Sequence, residues 1–476
     1  MAADRGIVSH FVSQFHTACN DGRGDLMHSC FSLDEASFVM LQISLKSESI
    51  MHVCEKVSLF PHNNSQAKRF KTLLQDYLLY VQQYPWPANA YQFTGTYDAW
   101  VKVYSAMIAC FTLPDTVWLV RALKYVAMQL VLLAIRIDNE DTQKTFSKTI
   151  DAAGRLSKGA GLAANDRSPS PGAQTKRAAV LKLANLSFRA YFQLKNTRLC
   201  ETVLGSVHNA LLMNRRNDES TMSGEELYPV SERVTYHFYV GQIRLFQHRI
   251  QAASQHLRWA FDNCTNAHAH NKRKILISLI AAHLILGRYP KLPLLRDYDL
   301  VQQYAELARQ HRLGHAARVM AELERNRDWL RARGLYMILR EKLALGLWRN
   351  LFQRCMRLIP DTSGTSNAPP TLPLRKLVRP ARLAWNDNTL SLEDLECMAA
   401  NLVDQVSGLQ SEEKPFNTAE PGPYEGIHPP FKRNDCAAAR SSSRFSARER
   451  CIPRLAMFSL QGCSTFDTRT FVVVLV

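Results

Sequence analysis

An all-helical fold is what this 476-residue sequence predicts, and three observations carry it. Phe70, Leu73, Leu74, Tyr77, Leu78 and Val81 follow the spacing that sets six apolar side chains on one face of an α-helix. Trp100, Val103, Tyr104, Met107, Ile108 and Phe111 repeat that spacing. No comparable run alternates apolar and polar residues, and the nearest strand signal is the apolar end at residues 471–476. A helix with one apolar stripe must bury it against a neighbour, so consecutive helices with short breaks are expected to stack as hairpins.

Along the chain, residues 1–156 read as N-terminal helical hairpins. Residues 157–175, rich in Gly, Ala, Ser and Pro, read as a linker. Residues 176–315 form a dense helical block. Within it, residues 232–264 look like a tetratricopeptide-type hairpin. Tyr236, Tyr239 and Gly241 sit on its first helix, Phe246 closes that helix, and Ala252, Leu257, Ala260 and Phe261 supply the second. Gly241 has no Cβ and lets the two helices approach closely. Residues 181–212 have a similar layout, but two loose copies fall short of the three or so that a repeat protein needs. Residues 316–405 continue the helical pattern around a Pro- and Ser-rich loop at 360–373. Residues 406–476, with an Arg/Ser tract at 440–450, read as an atypical, disordered tail.

The composition bounds the function. Lys and Arg number 59 against 42 Asp and Glu, a formal charge of +17. Such an excess points to an anionic partner, either nucleic acid or an acidic protein or lipid surface, unless the cations are scattered for solubility. The opening residues lack the apolar core of a signal peptide. The most apolar stretch, residues 118–137, is interrupted by Arg121, Lys124 and Arg136, so no membrane span is expected. Eleven dispersed cysteines with no Cys-x-x-Cys pair suggest a reducing compartment and buried thiols. These features together read as an intracellular soluble protein.

No catalytic constellation is complete. Gly159, Gly161 and Ala164 fit a dinucleotide fingerprint but follow no strand. His268, His270 and Ser278 imitate part of a zinc-hydrolase motif, yet Ala281 stands where the third ligand belongs, so no metal and no cofactor is expected. The Glu225–Glu226 pair lies in a polar stretch and reads as solvated. The chain is therefore expected not to be an enzyme and to take no small-molecule substrate.

One set of short motifs resembles a known family. Arg233-Val234-Thr235-Tyr236-His237-Phe238-Tyr239-Val240-Gly241 is followed, in order, by Ala260-Phe261, Cys264, Asn271-Lys272-Arg273 and Ile275-Leu276. Leu286-Gly287-Arg288-Tyr289-Pro290, Leu294-Leu295 and Arg349-Asn350-Leu351-Phe352 come next. Each motif alone is weak, but their collinear order resembles the PCI family. The subfamily concerned contains the PCI subunit of the nuclear transcription-and-mRNA-export complex and the fungal accessory, twelfth signalosome subunit. The resemblance covers roughly residues 176–405 and implies a right-handed, tetratricopeptide-like helical solenoid ending in a winged-helix module, here residues 316–405. Ser391 resembles the N-cap of its third helix, with Asp394 three residues on. The segment after Gln405 departs from the family pattern, so the wing looks altered or missing. The resemblance further implies a larger PCI-containing scaffold partner, a small acidic disordered protein of the proteasome lid, and RNA or DNA on a basic platform.

The charge itself is concentrated. Residues 311–382 hold fifteen Lys or Arg against five acids, a surplus of ten positive charges. The candidate phosphate-binding residues are Arg318, Arg325, Arg327, Arg331, Arg333, Arg349, Arg354, Arg357, Arg375, Lys376, Arg379 and Arg382, with a second cluster at Lys272, Arg273 and Lys274. Arginine predominates, and its planar fork suits bidentate phosphate contacts. No base-reading signature accompanies them, so binding would follow the backbone and tolerate any sequence. The expectation is a non-enzymatic adaptor of a nuclear complex coupling transcription to mRNA export, nuclear and secondarily cytoplasmic. The alternative is a protein-only scaffold of the signalosome or splicing machinery, its basic face meeting acidic protein.

Overall fold

The computed structural model describes residues 2–46, 48–60, 64–87, 89–141, 145–170, 174–217, 222–358 and 373–411. Among these residues the chain is helical throughout and contains no strand, as the periodicity predicts. The apolar end at 471–476, the tail from 412 onward and all of the 360–373 loop but Pro373 lie outside the described residues. The chain divides into two compact units, one formed by Met1–Gln247 and Gln255–Ile275, the other by His248–Ser254 and the residues from Leu276 onward.

The first unit opens with α1 (Ala2–Asn20), α2 (Gly24–Phe31), α3 (Glu35–Leu45) and α4 (Ile50–Glu55). It continues through α5 (Asn64–Gln83), α6 (Thr96–Phe111), α7 (Val120–Glu140) and α8 (Ser147–Ala164). Then come α9 (Val180–Gln193), α10 (Cys200–Asn217) and α11 (Val230–Phe246). Residues of both units occur in α12 (Ile250–Asn263) and α13 (Ala269–Ile285). The second unit proceeds through α14 (Leu292–Asp297), α15 (Val301–Leu313), α16 (Ala316–Arg325), α17 (Arg327–Arg331), α18 (Tyr336–Leu358), α19 (Val378–Trp385) and α20 (Leu392–Ser411).

The stripes read from sequence are the packing surfaces. All six apolar positions of α5 are buried, as are Trp100, Val103, Tyr104, Met107 and Phe111 of α6, with Ile108 packed at the margin. Tyr80 meets Trp100 edge-on with ring centroids 4.7 Å apart, a geometry aromatic quadrupoles favour. The indole Nε1 of Trp100 donates to the Val126 carbonyl at 3.1 Å, so the largest buried side chain also satisfies its polar atom. The segment Val117–Glu140, which includes α7, is long and apolar enough in composition to cross a membrane. Here it is a core helix: Leu123, Val126, Leu130 and Val131 are buried, and Lys124 pairs with Glu232 at 2.7 Å.

Three expectations about boundaries are corrected. Residues 157–164 are not linker but the second half of α8, with Gly159, Ala160 and Ala163 buried. Small residues serve loops and close helix contacts alike, and here the second use prevails. A Cβ on Gly159 would stand 2.6 Å from the Tyr104 hydroxyl. The break after α8 also separates no units, since α8 and α9 pack together inside the first, and the division falls near residue 276 rather than at 157–175 or 315. Helix α20 likewise runs past Gln405 to Ser411.

Close approach at Gly241 is confirmed, because a Cβ there would meet Leu257 Cγ at 2.5 Å. In the second unit α18, α19 and α20 share one core of Trp348, Phe352, Leu377, Ala381, Leu395 and Met398. Ser391 caps α20 as read: the Asp394 amide donates to Ser391 Oγ at 3.2 Å, and the Ser391 amide donates to Asp394 Oδ2 at 2.8 Å. That reciprocal box satisfies two backbone donors at the helix start.

Candidate nucleic-acid interface

The short helical segment over residues 374–385 shows how the sequence builds a charged face. Leu374, Leu377, Ala381 and Ala384 recur at helical spacing and turn inward to the core shared with α18 and α20. Arg375, Lys376, Arg379 and Arg382 then point outward, and all four are exposed. On α18 the inward side chains of Phe352 and Cys355 likewise leave Arg354 and Arg357 exposed. Arg331 of α17 and Arg318 of α16 are exposed as well.

Several other candidates are engaged within the protein. Arg325 pairs with Glu322, and Arg327 with Glu324 at 3.7 Å. Arg333 lies 3.9 Å over the Trp329 ring and donates to the Trp329 carbonyl at 2.7 Å. Arg349 lies against Gly287, where a Cβ would come within 2.1 Å of its guanidinium. Arg382 remains exposed but donates to the Leu390 carbonyl at 2.9 Å. Among the described residues, Arg331, Arg354, Arg357, Arg375, Lys376 and Arg379 form no salt bridge. These six offer the least encumbered positive charge.

The second cluster opens α13. Lys272 Nζ donates to Asn266 Oδ1 at 2.8 Å and lies 4.9 Å over the Phe261 ring; Arg273 is half-buried, and Lys274 is exposed. Gly159 and Gly161 lie inside α8, where no phosphate-cradling loop exists. Among the described residues no group of three His, Cys, Asp or Glu is placed to hold a metal ion. Burial pushes the thiols of Cys30, Cys110 and Cys200 up to about 12, which leaves them poor nucleophiles.

The tertiary structure also joins motif residues that sequence reading left as separate marks. Tyr289 Oη hydrogen-bonds His311 Nδ1 at 2.9 Å and accepts from Asn350 Nδ2 at 2.8 Å, so two of the collinear motifs meet around one buried histidine. In the first unit Glu225 Oε2 and His237 Nε2 are 2.8 Å apart, and His237 Nδ1 contacts His256 Nδ1 at 2.8 Å. Glu225 reads as solvated in the sequence because its partner is twelve residues away and brought in by the fold.

Both of these clusters hold a histidine neutral. Burial, with the neighbouring His237, lowers His256 to about 4, and burial, with Arg349, lowers His311 to about 4. An unfolded imidazole titrates near ~6.5. The unfolded chain therefore takes up protons first as pH falls, and the stability these groups contribute above pH ~6.5 is lost on the way down to pH ~4. We expect roughly 2 kcal/mol lost per histidine between pH ~7 and ~5, read as a falling urea midpoint. Replacing both residues with glutamine should flatten that profile; an unchanged slope would show that other groups govern it.

Fold and surface together define an all-helical protein whose C-terminal helices present a basic face. No family model matches the chain. It is 27% identical over 420 residues to a PCI domain-containing protein of Schizosaccharomyces pombe, covering 84% of this chain and 89% of that protein. Enhanced ethylene response protein 5 of Arabidopsis thaliana is 26% identical over 372 residues, covering 76% and 84% respectively. A PCI domain-containing protein 2 homolog of Drosophila melanogaster is 33% identical over 181 residues, 38% of this chain and 42% of that protein. Over most of its length the chain is similar to PCI domain-containing proteins.

Proposed function

We propose that this protein is a non-enzymatic scaffold subunit of a nuclear complex coupling transcription to mRNA export, and that it holds nucleic acid by the phosphate backbone. The observation that supports this reading is the outward stripe Arg375, Lys376 and Arg379, which is free of carboxylate pairing among the described residues, as are the exposed Arg354 and Arg357 of α18. Its partners would be a larger PCI-containing scaffold and a small acidic disordered protein. Helix α20 carries Glu393, Asp394 and Glu396 in its first turns, so inserting it into a groove would set carboxylates against phosphates. Contact led by the cations of α18 and α19 agrees with sequence-tolerant binding.

The test is binding to a short single-stranded RNA across a salt series, alone and with the PCI partner. Removing three phosphate contacts with R375A, K376A and R379A together should weaken binding and lower the salt slope by about 2. R325A with R327A should change it less, because each already shares its charge with a glutamate. A triple variant that binds with the parent's affinity and slope would leave a protein-only scaffold as the reading.

A further inference from the structure

We propose that Ser223 is a phosphorylation site for an acid-directed serine kinase, and that Arg215 and Arg233 hold the phosphate it receives. Nothing in the nucleic-acid reading requires this site, which lies in the first unit.

The acceptor is presented on a fixed turn. Gly224 is buried with φ +73°, and a Cβ there would stand 2.4 Å from the Leu211 carbonyl oxygen and 3.3 Å from the Arg215 amide nitrogen. Only glycine fits such a seat without strain. The Gly224 carbonyl also accepts from Asn214 Nδ2 at 3.3 Å. The turn is thus anchored to the end of α10, while Ser223 and Met222 on its outer side are exposed.

Carboxylates stand two and three residues after the acceptor, the arrangement that a kinase with a basic substrate groove selects. Glu226 is exposed and available to that groove, whereas Glu225 is committed to His237. In the unmodified turn the Ser223 hydroxyl donates to Glu226 Oε1 at 2.8 Å, and the Ser223 amide donates to the same oxygen at 3.3 Å.

The product also has somewhere to go. Arg215, on the last turn of α10 beside Gly224, is exposed. Arg233 lies 4.9 Å over the Trp259 ring, and its Nε is buried without a hydrogen-bond partner. The Glu226 carboxyl feels burial, but its hydrogen bonds and the Arg233 charge hold it below the usual carboxylate range. Arg233 therefore already acts on this turn.

In the reaction Ser223 Oγ attacks the terminal phosphorus of a nucleoside triphosphate bound by the kinase. The new Oγ–P bond forms as the bond to the leaving nucleoside diphosphate breaks, and the hydroxyl proton passes to the kinase's base. The hydrogen bond to Glu226 is lost, the dianion repels that carboxylate, and charge-assisted bonds from arginine replace it.

The experiment treats the full chain with a recombinant acid-directed serine kinase and MgATP. The expected product gains about 80 Da, one phosphoryl group, mapped to Ser223 and absent from S223A. E226Q should slow the reaction at least about tenfold, the equivalent of one charge-assisted contact. Phosphorus NMR of the product should place its second ionisation below the ~6 of a solvated phosphoserine, moving back toward it in R215Q and in R233Q. No incorporation, incorporation elsewhere, a rate indifferent to E226Q, or a second ionisation at about 6 in the parent chain would each overturn the proposal.

Discussion

Replacing Arg177 with alanine should cost the first unit about 4 kcal/mol or more, the largest single loss expected here. The residue is completely buried, and four acceptors surround its guanidinium. Its Nε donates to Asn214 Oδ1 at 2.8 Å, Nη1 to the Asp166 and Ser168 carbonyls at 2.5 and 3.1 Å, and Nη2 to the Ser170 carbonyl at 3.3 Å. Burial lowers its pKa, so the protein carries a cation where solvent is absent and offsets that cost with carbonyl dipoles. The Arg177 carbonyl in turn accepts from Tyr228 Oη at 2.9 Å, and Asn214 Nδ2 bridges to Tyr228 Oη at 3.3 Å. Alanine would orphan the loop carbonyls and leave a large cavity as well. Lysine should recover only part of the loss, because a single ammonium cannot reach acceptors arranged around a planar fork. The readout is hydrogen exchange across α8, α9 and α10 together with the urea midpoint. R177A within ~1 kcal/mol of the parent would mean that desolvation cancels all four bonds.

Gly314→Ala is the second large effect, expected to destabilise the second unit by about 3 kcal/mol or more. Gly314 ends α15 with φ +72°, its amide donating to the His311 carbonyl at 3.0 Å, while the His315 amide donates to the Gln310 carbonyl at 3.1 Å. That closure requires the left-handed region, where a side chain is strained. The added Cβ would also stand 2.7 Å from the Leu351 amide nitrogen and 2.8 Å from its Cα, and backbone of α18 cannot rotate aside. Asn350 is the adjoining residue and donates to the His311 carbonyl at 2.8 Å, so displacing α18 would also disturb the Tyr289–His311–Asn350 cluster. Gly205→Ala is the control: it lies inside α10 with nothing within 4 Å, so alanine should leave stability unchanged or raise it by up to ~1 kcal/mol. Equal melting of G314A and the parent would show that α15 can end another way.

What the sequence determined by itself is local. The stripes of α5 and α6, the small residue at Gly241, the Ser391–Asp394 cap and the charge surplus after residue 311 all depend on spacings of a turn or two, and periodicity records such spacings. The pairings of Arg325 with Glu322 and Arg327 with Glu324 sit at i, i+3 and were legible by the same rule. Tertiary structure alone decided the rest. It made the Gly- and Ala-rich 157–164 stretch a packed helix, set Arg349 against Gly287, enclosed Arg177 in loop carbonyls and brought Glu225 to His237. It also left Arg375, Lys376 and Arg379 facing solvent without a carboxylate among the described residues. These outcomes join residues from seven to more than sixty positions apart. A composition that suits both a loop and a close helix contact, or both a phosphate site and a buried cation, is resolved only when the neighbouring helix arrives.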